Sequence, residues 1–251
     1  MTKLTIEDLA VYCKRKGFIY PSAEIYGGLA GFFDYGPLGV ELKNNIKNTW
    51  WKTHVQQRRD VAGIDGSIVT NPKVWEASGH VANFSDLMLT TKKSKTKIRA
   101  DVFIEEKLGI SADGMNAEEI NKLIKKHKLT HNGEEFAELQ NFNLMFSTEV
   151  GPESGTKAYL RPETAQLIFA NFRLVAENAR LKLPFGIAQI GKAFRNEISP
   201  RDFLFRCREF EQMELEFFCK PGEDEQWHDT WVKLRKQWWL DQGLAEENLE
   251  F

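Results

Sequence analysis

Arginines, carboxylates and one aromatic ring recur at intervals of two between Arg195 and Glu216. Alternate residues of a strand point to the same face. Residues 186–218 read as a hairpin, with strands at about 187–198 and 204–219 joined by the turn-forming Ser199, Pro200, Arg201 and Asp202. Arg195 and Glu197 then share one face of the first strand, with Phe194 and Ile198 on the other. In the second strand Arg206, Arg208, Phe210, Gln212, Glu214 and Glu216 share a face, while Met213, Leu215, Phe217 and Cys219 turn to a core. One face of the hairpin therefore carries arginines near its loop, a ring in the middle and carboxylates beyond. A polar, solvated sheet face would show the same alternation of charge. The graded order favours a ligand with an anionic group, a flat ring and an ammonium. Guanidinium forks suit phosphate oxygens, Phe210 offers a stacking surface for a base, and Glu214 and Glu216 could hold an amine.

The run F-R-N-E, a loop, then R-C-R-E-F resembles motif 2 of the class II aminoacyl-tRNA synthetases, with Phe194, Arg195, Glu197, Arg206 and Phe210 filling its pattern. Y-G-G-L-A-G-F-F-D-Y-G-P-L-G (26–39), S-G-H (78–80), R-A-D (99–101), F-N-L-M-F (142–146), Y-L-R-P-E-T-A-Q (159–166) and E-Q-M-E-L-E-F-F (211–218) are similar to the dimeric glycyl-tRNA synthetases. These blocks, in this order, extend the resemblance over nearly the whole chain. It implies an α+β fold, the class II antiparallel sheet flanked by helices, with an inserted subdomain. It also implies a two-step reaction: glycine attacks the α-phosphorus of ATP to give glycyl-adenylate, and the glycyl group passes to the 3′ end of tRNA(Gly). The attacking carboxylate belongs to the substrate, so positioning and charge stabilisation carry the catalysis.

On the same resemblance, Arg195, Glu197 and Arg206 are the catalytic residues. Arg195 holds the α-phosphate, Glu197 the adenine amine and Arg206 the γ-phosphate, with Mg2+ bridging the phosphates. Asn196, Phe205, Arg208 and Phe210 complete the nucleotide site. Arg99, Glu163, Phe210, Glu211, Gln212, Met213 and Glu214 line the amino-acid site, Glu163 and Glu214 meeting the glycine ammonium. No resident metal is expected.

The composition sets bounds on these readings. At 251 residues the chain is long enough for a large core or a core with an insertion. Its net charge of -2 gives no global attraction to nucleic acid, so RNA contact needs local patches. Cys13, Cys207 and Cys219 form no C-x-x-C pair, the usage of a cytoplasmic protein and not of a disulfide framework. The amino-terminal MTKLTIEDLA lacks the apolar stretch of a signal peptide, and no apolar run approaches the ~20 residues of a membrane span.

Three regions are expected: residues 1–84 with motif 1, an insertion at 85–140, and a core at 141–251 with motif 2. Thr5 reads as the cap of a helix running to about Lys16 and closed by Gly17. Gly27, Gly28 and Gly31 among aromatics suggest tight turns, not a phosphate loop. Pro37 starts a helix with Leu38, Leu42, Ile46 and Trp50 at steps of four, read as a core-facing stripe. The resemblance makes this helix motif 1, at a homodimer interface, followed by a strand at about 65–70 and by Pro72 as the motif's proline. Lys92, Lys93, Lys95, Lys97 and Arg99 form a basic run, and a lysine-rich helix with a box from Asn116 to Glu119 follows. That helix reads as solvated, with RNA phosphate as the alternative. Thr91, Ser94 and Thr96 stand where some relatives carry cysteines, so no zinc is expected there.

Residues 142–160 read as strands broken at Gly151, Pro152 and Gly155. Pro162 suits the first position of a helix reaching about Leu181, which puts Glu163 in its first turn, favourable to the helix dipole or exposed toward a substrate ammonium. Trp227, Trp231, Leu234 and Trp238 mark a last helix over 223–242. The glycine-rich third motif of class II enzymes is not found after Gly222, where only Gly243 remains. The expectation is an amino-terminal part of the catalytic domain, inactive by itself. The alternatives are a synthetase-like accessory module without catalysis and an enzyme adenylating another small acid.

Overall fold

The computed structural model describes residues 5–112, 114–152, 155–200 and 202–250. Arg201 of the expected hairpin loop and the first four residues of the amino-terminal segment lie outside them. Helix α1 (Ile6–Lys16) begins at a capping box: the Thr5 side chain accepts from Asp8 N–H, and Asp8 accepts from Thr5 N–H. Gly17, at φ 77°, closes it as the sequence suggests. A short hairpin follows, β1 (Ile19–Pro21) with β2 (Phe33–Tyr35). Helix α2 (Pro37–Trp51) starts on its proline and runs into a π-helical turn, Lys52–Gln56. Its apolar stripe divides: Ile46 and Trp50 pack on the core, whereas Leu38 and Leu42 are each 51% exposed.

The strand after α2 is β3 (Val61–Gly63), earlier than the 65–70 expected. Residues 65–70 contribute only one bridge, Val69 to Leu160. The backbone there is satisfied elsewhere: Gly66 N–H donates to Gln189 Oε1 at 3.1 Å, Gly66 O accepts from Arg161 Nη1 at 2.6 Å and Ile68 O accepts from Arg161 N–H at 3.0 Å. A strand ladder would compete for those groups. Pro72 caps α3 (Lys73–Ala77), and α4 (His80–Asn83) follows Gly79.

Next come β4 (Ser85–Thr90), β5 (Lys97–Arg99), α5 (Ala100–Leu108), α6 (Ala117–His127) and β6 (Gln140–Asn143). Strand β4 lies between β5 and β6, antiparallel to both. Leu89, Ala100, Phe103, Ile104, Ala112 and Ile120 form a buried cluster under this sheet. Helix α6 opens on the Asn116–Glu119 capping box. Thr91, Ser94 and Thr96 hydrogen-bond to one another in the β4–β5 turn.

Strands β7 (Ser147–Val150) and β8 (Thr156–Tyr159) pair antiparallel. Helix α7 (Ala165–Asn178) starts after Thr164, so Pro162 and Glu163 precede the helix and do not occupy its first turn. The hairpin is β9 (Phe185–Phe194) and β10 (Glu209–Phe218), antiparallel with Phe210 opposite Ala193 and Glu214 opposite Gln189. Both strands are shorter than expected at the loop end. β9 also pairs with β3 in parallel, so the three-stranded sheet β10-β9-β3 is mixed. One face of it packs Val61, Ala188, Ile190, Met213 and Leu215 against Trp50, Val55 and Trp238, the last from α8 (Asp224–Asp241). On the other face Phe185 and Ile187 pack against Ile168 of α7. The rest of that second face is not closed by apolar side chains, and the candidate site lies there. Among the described residues no helix is long and apolar enough to cross a membrane.

Candidate functional site

The hairpin register decides which side chains meet. Phe210, Gln212, Glu214 and Glu216 lie on one face of β10, opposite Ala193, Gly191, Gln189 and Ile187 of β9. Arg195 continues the same face past the end of the ladder. The chain leaves the strand there because Asn196 N–H turns to Leu144 O at 2.7 Å, while Arg195 N–H still reaches Arg208 O at 2.9 Å. The Arg195 guanidinium lies 5.3 Å from the Phe210 ring centroid and 5.5 Å from that of Phe84. Its Nε donates to Pro162 O at 3.2 Å, and its Nη2 is 3.9 Å from Glu163.

Glu197 leaves the strand and is buried, 7% exposed. It accepts from Arg206 Nε at 3.0 Å. Burial pushes its carboxyl up, with Asp86 adding to the push and Arg99, Arg195 and Arg208 opposing it. Arg195, Glu197, Phe205, Arg206 and Phe210 line a cleft of about 670 Å³ together with Asp202, Leu204, Cys207 and Glu211. Phe205 is 78% exposed at its rim.

Three carboxylates gather farther along the face. Glu214 accepts a hydrogen bond from the Thr164 hydroxyl. Glu216 is pushed up by burial first, then by the negative charges of Glu214 and Glu163. Glu163 faces His80 Nε2 at 3.4 Å as well as Arg195, and accepts from Gln166 Nε2. His80 is set by Ser78, whose hydroxyl is 2.9 Å from Nδ1. Negative charge concentrated at this end of the face would attract a cation.

Other expected residues sit apart from this face. Arg208 braces the β1–β2 connection: its Nη1 donates to Ala30 O at 2.9 Å, its backbone N–H to Gly31 O at 2.7 Å, and its Nε and Nη2 to Glu197 O. Glu211 and Met213 lie on the opposite face of β10, although Glu211 also borders the cleft. Glu211 pairs with Lys47 at 3.1 Å and Lys43 at 3.6 Å of α2, and Met213 packs in the core. Asn196 meets the fold through its backbone. Arg99 is held by Asp101, with Asp86 at 3.4 Å, and its guanidinium is pushed up chiefly by the Asp101 hydrogen bond. Its charge is felt at Glu197, at the arginine end of the face.

Four contributors were not singled out from sequence: His80, Arg161, Thr164 and Gln189. Arg161 is 2% exposed. It donates from Nε to Lys192 O at 2.6 Å and from Nη1 to Gly66 O at 2.6 Å, with its guanidinium over Gly191, where a Cβ would come within 2.0 Å of Nη2. Arg161 and Thr164 flank Glu163 in the quoted R-P-E-T block, and His80 ends S-G-H, so those blocks were the available signal. Gln189 carried none beyond its place on the hairpin face. Among the described residues no three His, Cys, Asp or Glu side chains gather where they could hold a metal ion.

Residues 146–250 match the tRNA synthetase class II core domain (G, H, P, S and T). The chain is 50% identical over 262 residues to the glycine–tRNA ligase of Caldanaerobacter subterraneus subsp. tengcongensis, covering 99% of this chain and 56% of that protein. It is 51% identical over 256 residues to the glycine–tRNA ligase of Geobacillus kaustophilus, covering 98% and 56%. The chain thus spans little more than half the length of the curated relatives it matches. Among solved structures, the RNA binding domain of threonyl-tRNA synthetase from Cryptosporidium parvum Iowa II superposes with a TM-score of 0.54 at 15% identity, over 89% of this chain and 40% of that one, a likeness of fold.

Proposed function

We propose that this chain, a member of the glycine–tRNA ligase family of class II tRNA synthetases, supplies the ATP-facing and glycine-facing surface of an enzyme that forms glycyl-adenylate and charges tRNA(Gly) in the cytoplasm. The observation that carries the reading is the order along one face of β9–β10: Arg195 over Phe210, then the carboxylates Glu214 and Glu216 with Glu163 beside them. Phosphate, adenine and ammonium each meet the side chain suited to them. Adenine stacks on Phe210, and Arg195 turns from that ring to the α-phosphate and the attacking carboxylate. Charge redistributes there in the transition state, where a fixed guanidinium is worth most. Arg206 exchanges its bond to Glu197 for the outer phosphates, which frees Glu197 to accept from the adenine amine. Magnesium belongs to the substrate, carried on the ATP phosphates as that ion ordinarily is. Glu163 and Glu214 take the glycine ammonium.

Residues 85–140, with their own buried cluster, form the inserted subdomain on this reading, between a motif 1 region at 1–84 and the motif 2 core at 141–251. The half-exposed Leu38 and Leu42 of α2 are the homodimer contact. The test is ATP–pyrophosphate exchange by the protein that carries this chain, with and without glycine. Exchange that requires glycine and is not supported by alanine or serine is the expected result. No exchange would leave a non-catalytic accessory module, and equal exchange with other small acids would make it a different adenylating enzyme.

A further inference from the structure

Thr164 stands at the position that caps α7, yet its side chain makes no capping hydrogen bond to the helix. Threonine at such a position ordinarily accepts from a backbone N–H of the first turn. Here the hydroxyl donates to Glu214 Oε2 instead. The residue is 1% exposed, so water does not supply a competing partner. Its carbonyl is held in turn by Gln189 Nε2. Gln189 is fully buried, faces Glu214 across the β9–β10 ladder, and accepts from Gly66 N–H at 3.1 Å. A backbone group, a buried amide, a carbonyl and a hydroxyl therefore form a chain that ends on one carboxylate.

We propose that Thr164 is a positioning residue for the amino-acid site: its hydroxyl, withdrawn from helix capping, fixes the Glu214 carboxylate in one orientation, and Gln189 fixes Thr164. Glu216 feels the negative charges of both Glu214 and Glu163. Repulsion between Glu214 and Glu216 favours rotamers that separate them, and a directed donor on one oxygen of Glu214 opposes that spread. The second oxygen is left to receive a cation. This assignment rests on the glycine-binding reading of Glu214, but the hydrogen bond can be tested without it.

Two measurements decide the matter. In the isotopically labelled chain, the Thr164 hydroxyl proton should exchange slowly enough to be seen by NMR. It should move or vanish in Glu214→Ala and stay in place in Glu163→Ala. In the enzyme, Thr164→Val should raise KM for glycine about tenfold, the loss expected for a hydrogen bond to a charged group, with kcat changed less than about threefold. Thr164→Ser, which keeps the hydroxyl, should restore KM. In a Glu214→Gln background, Thr164→Val should add nothing further, because a residue that acts through Glu214 has nothing left to act on. A Thr164 hydroxyl indifferent to Glu214→Ala would overturn the proposal. So would a Thr164→Val penalty that persists in full in the Glu214→Gln background, or that Thr164→Ser shares. If the unmodified enzyme shows no dependence on glycine, the functional reading falls, and the NMR result still decides whether Thr164 holds Glu214.

Discussion

The Arg195 guanidinium lies over the ring face of Phe210, 5.3 Å from its centroid, and 3.9 Å from Glu163. On the proposed reading, the ring that would receive adenine is thus covered by the group that would receive phosphate. Arg195→Ala should lower kcat for glycine-dependent exchange by roughly 100- to 1000-fold, the range for removing a donor to developing charge, with a smaller effect on KM for glycine. Arg195→Lys should recover little, since an ammonium has neither the fork nor the flat face that stacks on Phe210. Steady-state exchange kinetics of both variants check this. Near-normal kcat in Arg195→Ala would remove the basis for the motif 2 assignment.

Gly191 should resist any side chain. A Cβ there would come within 2.0 Å of Arg161 Nη2. The guanidinium cannot swing away cheaply, because it is buried and bonded to Lys192 O and Gly66 O. Gly191→Ala should cost about 1–3 kcal/mol, in the range for overpacking, and Gly191→Val more. Urea unfolding of the two variants measures it.

His54 should make stability fall in acid. Its ring stacks on Trp50 and Trp231, Nδ1–H donates to Trp50 O at 3.0 Å, and Nε2 accepts from Arg235 Nη1 at 3.1 Å. Burial is the main cause that lowers its pKa to about 4, with Arg235 and Arg58 adding to it against the Trp50 hydrogen bond. The unfolded chain, titrating near 6.5, then binds more protons than the folded chain between those values. Stability is full above about pH 6.5 and is lost as pH falls toward 4, by on the order of 2 kcal/mol. Glu216, pushed up by burial, works in the opposite sense: its contribution favours folding at low pH and is lost as pH rises through its folded value. Denaturant midpoints measured from pH 7 to pH 4.5 should fall, and the fall should be smaller in His54→Gln.

Leu42 tests the proposed assembly. It is 51% exposed on α2, as is Leu38 four residues before it. Paired apolar side chains on an exposed helix face favour association. Leu42→Glu should shift a dimer to monomer at micromolar concentration in light scattering, while leaving the far-ultraviolet circular dichroism unchanged. A dimer of undiminished stability would place the interface elsewhere.

Elements whose signals lie within a few residues of one another are legible in the chain itself. The Thr5–Asp8 and Asn116–Glu119 boxes start helices as expected, Gly17 closes α1, and the period of two puts Phe210, Glu214 and Glu216 on one face of β10. The same period already assigned Met213 to the core face, although the resemblance counted it with the amino-acid site; only the register puts Glu211 on that side. Tertiary structure decided what depends on distant partners. β9 stops at Phe194 because Asn196 finds Leu144 O, Arg208 turns to Ala30, and residues 65–70 form no strand because Arg161 and Gln189 take their backbone groups. Those last bonds join residues 95 and 123 positions apart. A cap or a strand period is set by neighbours in the chain, whereas a buried arginine or glutamine bonds whatever backbone the packing brings to it.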